Sequence, residues 1–232
     1  WPQSAPFIAY LNRCQWLLQQ GLFVADACYY YGDHVPNFAQ LKRSDPARVL
    51  PGYDYDVITE DALLTRATVR DGQILLPDGM SYRILVLRDN TAISLPVLRK
   101  IRELVAAGAT VVGPKPVEAT GLVGYPHSDT EVQRIATALW DAAGQTSHGR
   151  VVSDRSAREV LLADGVKPDF DFPGADALTT LDYIHRRAGD ADIYFVANRS
   201  NRWEDVRCTF RVTQKTPQVW SPNSAAIRTV AA

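Results

Sequence analysis

One segment of the sequence, residues 82–113, constrains the fold more than any other. It opens with a nearly continuous apolar run, Ile84–Leu87, which is typical of a central parallel strand covered on both faces. A second β-prone run, Thr110–Val112, follows after a helical pattern that ends at Ala-Gly. A strand, a helix and a strand in this order predict a right-handed βαβ crossover. The apolar stripe of the helix consists of Leu95, Leu98, Ile101, Leu104 and Val105.

The flanking patterns extend this unit into a doubly wound α/β domain with a parallel sheet, which we expect over residues 1–165. Thr59 has the sequence context of an N-cap that opens a short helix. The turn signals Asp71-Gly72 and Pro77-Asp78-Gly79 indicate a small hairpin before the central strand. The other expected elements are helices over residues 7–20, 129–143 and 156–163, and strands over residues 23–31, 53–57 and 151–152.

After Gly165 the pattern changes to β-prone runs that are separated by polar turns, without a helical period. In the third run, Val206, Cys208, Phe210 and Val212 alternate with polar residues, which indicates one buried and one solvated face. We therefore expect antiparallel strands of a partial β-rich domain over residues 166–232, the start of a β-sandwich. The runs are 182–187, 192–198, 206–212 and 218–220.

The composition argues against several classes of partner. The 25 basic and 26 acidic residues give a net charge of −1 without a Lys/Arg block, so we expect no nucleic-acid partner. No apolar run approaches the roughly 20 residues that span a bilayer, so we expect no membrane partner. The three cysteines and four histidines lack metal-ligand spacing, which predicts no metal. The first residue is Trp1, and we interpret the chain as part of a longer protein.

Two common catalytic or cofactor patterns are also absent from the sequence. A dinucleotide site needs closely spaced glycines after the first strand, and Gly32 stands alone there, so we expect no cofactor. No G-x-S-x-G nucleophile motif occurs. An independent enzyme of amidotransferase-like fold would need a reactive cysteine at a strand-to-helix turn, but Cys14 lies in a predicted helix and Cys28 in a predicted strand.

The candidate binding residues are Tyr30, Tyr31, Asp33 and His34, which follow the first strand of the predicted sheet. Ligands of doubly wound sheets bind beyond the carboxyl ends of the strands. Aromatic faces stack on sugar C–H groups, and Asp and His bind hydroxyls, so this combination suits a carbohydrate pocket. The alternative is that two of the tyrosines fill the core and that the loop seals a domain interface.

The sequence leaves two possible roles for each of two further sets of residues. His185 and Arg186 could contact a substrate or could fasten two domains together. An acidic group could supply the paired carboxylates of glycosidic acid/base chemistry, or it could cap helices and lie in solvent. This group consists of Asp54, Asp56, Glu60 and Asp61.

Several motifs, in order along the chain, resemble glycoside hydrolase family 106, the bacterial α-L-rhamnosidase-related enzymes. The resemblance covers nearly the whole chain and is less specific to rhamnose than to the family. The motifs are residues 17–26, 29–33, 52–56, 76–83, 112–116, 182–187 and 191–198.

The resemblance implies a large multidomain enzyme in which a (β/α)₈ barrel carries two acidic catalytic residues. This chain resembles the flavodoxin-like domain after that barrel, and a barrel of about 250 residues cannot fit in it. We therefore expect the catalytic carboxylates to lie outside this chain. The segment would form a wall of the carbohydrate site beside the barrel through Tyr30, Tyr31, Asp33 and His34, with His185 and Arg186 as further candidates.

We expect a secreted or periplasmic location. The leading functional hypothesis is an accessory domain of a sugar hydrolase, inactive alone, that shapes or supports the active cleft. The alternative is a noncatalytic structural or oligomerisation module.

Overall fold

The computed structural model describes residues 1–141 and 149–230. Its helices are α1 (Ala5–Leu18), α2 (Glu60–Arg66), α3 (Leu95–Ala106), α4 (His127–Ala136) and α5 (Ala157–Ala163). Its strands are β1 (Leu22–Phe23), β2 (Ala27–Tyr30), β3 (Tyr55–Ile58), β4 (Thr68–Arg70), β5 (Gln73–Leu75), β6 (Ser81–Tyr82), β7 (Ile84–Leu87), β8 (Ala92–Ile93), β9 (Thr110–Val112), β10 (Glu118–Ala119), β11 (Arg150–Val152), β12 (Phe170–Asp171), β13 (Leu181–Ala188), β14 (Ala191–Asn198), β15 (Thr209–Phe210), β16 (Gln218–Trp220) and β17 (Ile227–Thr229).

A five-stranded parallel sheet organises the α/β part of the chain. Its strands lie in the order β11-β9-β7-β2-β3, and all four pairings are parallel. When these five strands are renumbered 1 to 5 in chain order and read from β3, the order is 2-1-3-4-5, as in flavodoxin-like folds. The predicted doubly wound parallel sheet is confirmed.

The segment that most constrained the fold has the predicted structure. β7 and β9 are parallel neighbours, with Ile84 opposite Thr110 and Val86 opposite Val112, and α3 connects them. The apolar stripe of α3 faces the core, since Leu98 and Ile101 are 0% exposed. Packing of this stripe against the sheet stabilises the crossover, as the helical period predicted.

A loop, rather than a helix, covers part of the opposite face of the sheet. Ala47, Val49 and Tyr53 from the connection between β2 and β3 are fully buried, and they join the same apolar cluster as α5. The Asp45 carboxylate accepts hydrogen bonds from the backbone amides of Val49 and Leu50. Because a buried loop must satisfy its backbone groups without a helix, this carboxylate supplies partners that the loop itself lacks.

The predicted strand over residues 23–31 is two strands with different partners. β1 pairs antiparallel with β13, whereas β2 enters the parallel sheet. The change occurs at Val24, whose amide binds the carbonyl of His185, while the amides of Asp26 and Ala27 bind the carbonyl of Asp54.

The chain accordingly forms two compact units whose boundaries differ from the predicted division at residue 165. The α/β unit is Ala25–Asp169, and the β-rich unit combines Trp1–Val24 with the segment that begins at Phe170. Residues 1–24, which the sequence analysis placed in the α/β domain, therefore belong to the β-rich unit. The physical reason is the pairing of β1 with β13, which no local pattern reveals.

The β-rich unit is antiparallel, as predicted. β13 and β14 form a hairpin with paired residues from Leu181–Asn198 to Ala188–Ala191, and β1 lies on the other side of β13. Gly21, at φ +55°, precedes β1, and a Cβ there would lie 1.9 Å from the Arg187 carbonyl oxygen. This close approach requires glycine.

Three predicted elements have different bounds in the structure. The strand expected over residues 206–212 is limited to β15, although Phe210 still packs on Phe170 at a ring-centroid distance of 5.4 Å. The helix expected over residues 7–20 is α1. The helix expected over residues 129–143 starts earlier, as α4, and continues through a π-helical turn, Thr137–Asp141; its last two predicted residues lie outside the described ranges.

Candidate functional site

The carboxyl edge of the parallel sheet gathers most of the candidate residues. Because the strands are parallel, the turns after β2 and β7 leave the sheet at the same edge. Asp33 and His34 follow β2, and Arg88 and Asp89 follow β7. β2 connects to the strand on one side and β7 to the strand on the other, so the edge between them is the topological switch point, where ligands of such sheets bind.

Both polar side chains of the β2 turn are held by neighbouring segments. The Thr120 hydroxyl donates a hydrogen bond of 2.5 Å to the Asp33 carboxylate. The Arg88 guanidinium contacts the His34 imidazole. Gly32 shapes the turn, since its φ is +93° and a Cβ there would lie 3.3 Å from His34 Nδ1. The switch point is thus spanned by side chains of the unit itself.

The tyrosines of β2 lie mainly in the core. Tyr29 and Tyr30 are 4% and 3% exposed, and Tyr31 is partly buried against the cluster beneath the 46–53 loop. The Tyr30 hydroxyl has no hydrogen-bond partner among the described residues. Burial, with the nearby charges of Asp33 and Glu60, raises the pKa of Tyr30 and keeps the phenol neutral. Of the three rings, Tyr31 is the most accessible to a ligand.

A small open cleft lies at the same edge of the sheet. Its charged lining residues include Arg48, Asp89 and Arg155, and Arg48 Nη2 lies 2.6 Å from Asp89 Oδ2. Among the described residues that line the cleft, only Asp89 has a carboxylate side chain. Sequence reasoning missed Arg48, because its position over the sheet depends on the loop that replaces a helix.

The acidic group near β3 is used for structure. Asp54 is 3% exposed and forms a 2.7 Å ion pair with Lys42. The carboxylate of Asp56 accepts a 2.8 Å hydrogen bond from the Tyr82 hydroxyl. Glu60 and Asp61 lie in the first turn of α2, where carboxylates favour the helix dipole, and Glu60 accepts a 2.7 Å bond from Ser94.

The remaining two candidate residues lie in the β-rich unit. His185 is 1% exposed, its Nε2 lies 2.8 Å from Asp192 Oδ1, and its ring stacks on Tyr194 at 4.0 Å. Arg186 donates 2.6 Å hydrogen bonds to the carbonyls of Gln20 and Gly21. Both side chains hold secondary structure together within this unit.

Comparison with known proteins identifies the family. The model of glycoside hydrolase family 106, described as alpha-L-rhamnosidase, matches residues 1–232. The chain belongs to glycoside hydrolase family 106. This match confirms the resemblance to family 106 that the sequence motifs indicated. It also confirms that the chain is related to carbohydrate hydrolases.

Two relatives of this family 106 chain support the assignment. The structure of rhamnosidase from Novosphingobium sp. PP1Y matches with a TM-score of 0.87 and 31% identity, covering 98% of this chain and 22% of that chain. A provisionally named beta-glucuronidase from Formosa agariphila is 34% identical over 228 residues, which cover 98% of this chain and 19% of that protein. The chain thus spans about a fifth of the length of both relatives.

The described residues of this family 106 chain show neither a metal-binding cluster nor a membrane-spanning helix. Within residues 1–141 and 149–230, no cluster of three or more His, Cys, Asp or Glu side chains could hold a metal ion. His148, which the sequence analysis included among the histidines, lies outside the described residues. None of the described helices combines the length and apolar character needed to cross a membrane.

Proposed function

We propose that this chain is an accessory domain of a larger carbohydrate-hydrolysing enzyme of family 106, and that it supports the active cleft without supplying the catalytic carboxylates. Hydrolysis of a glycosidic bond ordinarily uses two carboxyl groups about 5 to 10 Å apart on opposite sides of the bond. The supporting observation is that the described lining of the edge cleft holds one carboxylate, Asp89, in an ion pair with Arg48. A single carboxylate leaves the second catalytic position unfilled within the described lining of this cleft.

The proposed role of the β2 turn is to form part of a wall for a carbohydrate substrate. Tyr31, Asp33 and His34 lie at the switch point and are each partly exposed. Thr120 and Arg88 fix the orientation of the two polar side chains. A preorganised wall of this kind lowers the entropy cost of binding a sugar, and reaction at the glycosidic carbon would be left to the rest of the parent enzyme.

The first experiment compares the isolated chain with the parent protein on an aryl α-L-rhamnoside and an aryl β-glucuronide. We expect hydrolysis by the parent and none by the 232-residue chain. Turnover by the isolated chain that disappears in Asp89→Asn would show that the chain is itself a catalyst and would overturn the proposal.

The second experiment separates substrate contact from structural support. In the parent, His34→Ala is expected to raise KM several-fold, because it removes part of the wall, while an exposed residue of the same edge, Asp154→Ala, serves as the control. If His34→Ala leaves KM and kcat unchanged and lowers only the free energy of unfolding, the noncatalytic structural module is the better description.

A further inference from the structure

Two loops at the carboxyl edge of the α/β unit carry an unusual number of exposed apolar side chains. The first loop follows β2, and the second follows β10. Within residues 35–41 and 122–125, the large apolar residues are each more than half exposed, whereas most side chains of this kind elsewhere in the unit are buried. The exposed fractions are 94% for Val35, 79% for Phe38, 63% for Leu41, 83% for Leu122, 86% for Val123 and 69% for Tyr125. We call these six residues the edge patch.

Hydrogen bonds fix both loops to the unit and to each other. The bond from Thr120 to Asp33 joins the loop that carries Leu122 to the loop that carries Val35. Within the first loop, the Asn37 amide donates a 2.7 Å bond to the Gly32 carbonyl. At the base of the second loop, the Ala119 amide donates a 2.8 Å bond to Asp129 of α4. The two loops are therefore tied to each other, and the second loop is also tied to α4.

The size of the edge patch indicates an interface. Six side chains of this size and exposure present on the order of 800 Å², which is about what one partner contributes to a standard protein interface. Exposed apolar patches beyond about 300–600 Å² are rare on monomers and mark binding sites.

Its chemistry favours a protein over a sugar. Four of the six side chains are aliphatic, and sugars bind chiefly to flat aromatic faces with polar groups beside them. Val and Leu side chains gain most from contact with other apolar side chains.

We propose that the edge patch is the docking surface for the part of the parent chain that lies outside these 232 residues. This inference rests on the proposed function and adds the partner to it. The chain covers 22% and 19% of two relatives, so about four-fifths of each lies outside the matching segment. A partner in the same polypeptide binds at a high effective concentration, which allows a patch of this kind to be permanently covered.

Hydroxyl-radical footprinting of the parent protein tests the docking directly. We expect Phe38, Leu122 and Tyr125 to be oxidised several-fold more slowly in the native parent than in the urea-unfolded parent. In the isolated chain they should react rapidly, while the fully buried Tyr53 stays protected and reports that the unit is folded. Equal oxidation of the patch in native and unfolded parent would overturn the proposal.

Two other occupants give different results, and each would also overturn it. Protection in the isolated chain that is lost on dilution, together with a halved mass, would identify a second copy. Protection that requires an added saccharide would identify a sugar site.

A variant of the parent adds an independent test. Leu122→Ser combined with Val123→Ser should increase the oxidation of Phe38, because the docked surface is lost. Leu178→Ser, which changes a 73% exposed side chain of the β-rich unit, is the matched control and should leave Phe38 protected. Hydrolysis is measured separately, so a parent that protects the patch but hydrolyses no glycoside refutes the proposed function and leaves the docking intact.

Discussion

Asp192 is a heavily paired carboxylate among the described residues of the β-rich unit. Its side chain is 4% exposed, and it accepts hydrogen bonds from His185 and from Arg187, at 2.8 Å and 2.9 Å, and another from Lys215. Burial opposes ionisation, but the bonds from Lys215, His185 and Arg187 outweigh it and lower the pKa of Asp192 to about 2. The ionised carboxylate thus links both strands of the β13–β14 hairpin to Lys215.

A pH dependence of stability follows from that lowered pKa. An unfolded Asp titrates near 3.9, so the stabilisation is fully present above about pH 4 and is lost as the pH falls towards 2. We expect the free energy of unfolding of the β-rich unit to fall by roughly 2 to 3 kcal/mol over this range. Urea unfolding, followed by tryptophan fluorescence at pH values between 2 and 6, measures it.

The matched variants for this prediction are Asp192→Asn and Asp190→Asn. Asp192→Asn should cost about 2 to 3 kcal/mol at neutral pH, because it removes the negative charge that is paired with Arg187 and Lys215. It should also flatten the fall in stability at acidic pH. Asp190 is exposed in the adjacent turn, and its replacement should change stability by less than about 0.5 kcal/mol. If the free energy of unfolding of Asp192→Asn still falls as the pH is lowered from about 4 to 2, another group causes the pH dependence.

Residue types at the candidate site could be read from the sequence, but their orientation could not. Asp33 and His34 do lie at the carboxyl edge, since that follows from strand order. Tyr30 is in the core because both faces of this sheet are covered, whereas Tyr31 follows the end of β2 and is only partly buried. The partners of Asp33 and His34, Thr120 and Arg88, come from distant segments, which local patterns do not reveal.

At the scale of elements, α3 shows why periodicity predicts structure well. Its buried stripe repeats every three or four residues, and this information is local to the helix. The loop over residues 46–53 has no such period, and Pro46 and Pro51 interrupt it, although it buries Val49 and Tyr53 completely. Its backbone depends on Asp45, so only three-dimensional contacts identify it as part of the core.

Truncating buried side chains of α3 should measure how much their packing contributes to the free energy of unfolding. Leu98→Ala and Ile101→Ala are each expected to lower the free energy of unfolding by about 2 to 5 kcal/mol, because both side chains are fully buried and would leave cavities. Arg102→Ala changes an exposed residue of the same helix and should cost less than about 0.5 kcal/mol. A loss below about 0.5 kcal/mol for Leu98→Ala would contradict the packing of α3 against the sheet.

For the whole molecule, the edge patch has a consequence for the behaviour of the chain in isolation. Exposed apolar surface of this extent promotes association. Leu122→Ser with Val123→Ser should therefore raise the protein concentration at which light scattering detects aggregates. Because both side chains are exposed, the free energy of unfolding should change by no more than about 0.5 kcal/mol.

Leu178→Ser again serves as the control, since Leu178 lies outside the patch and should alter the aggregation threshold much less. A double variant that loses more than about 1 kcal/mol of stability would show that Leu122 and Val123 are packed, which would contradict their assignment to the edge patch.

The order of fold types along the chain was predictable, but the division into units was not. The change from α/β to antiparallel patterns after Gly165 marks one boundary closely, since the α/β unit ends at Asp169. The other boundary, at Val24, depends on the pairing of Phe23 with Arg186, and no composition change accompanies it.

That discontinuous arrangement has a consequence for synthesis on the ribosome. The bond between Arg186 and Gln20 joins residues 166 positions apart, so β1 leaves the exit tunnel long before β13 is made. The intervening α/β unit has all of its strands translated first and can fold while β1 waits unpaired. Nascent chains stalled at a length where Asp169 has left the tunnel and β13 is still inside it should hold a protease-resistant sheet, while trypsin still cleaves within residues 1–24.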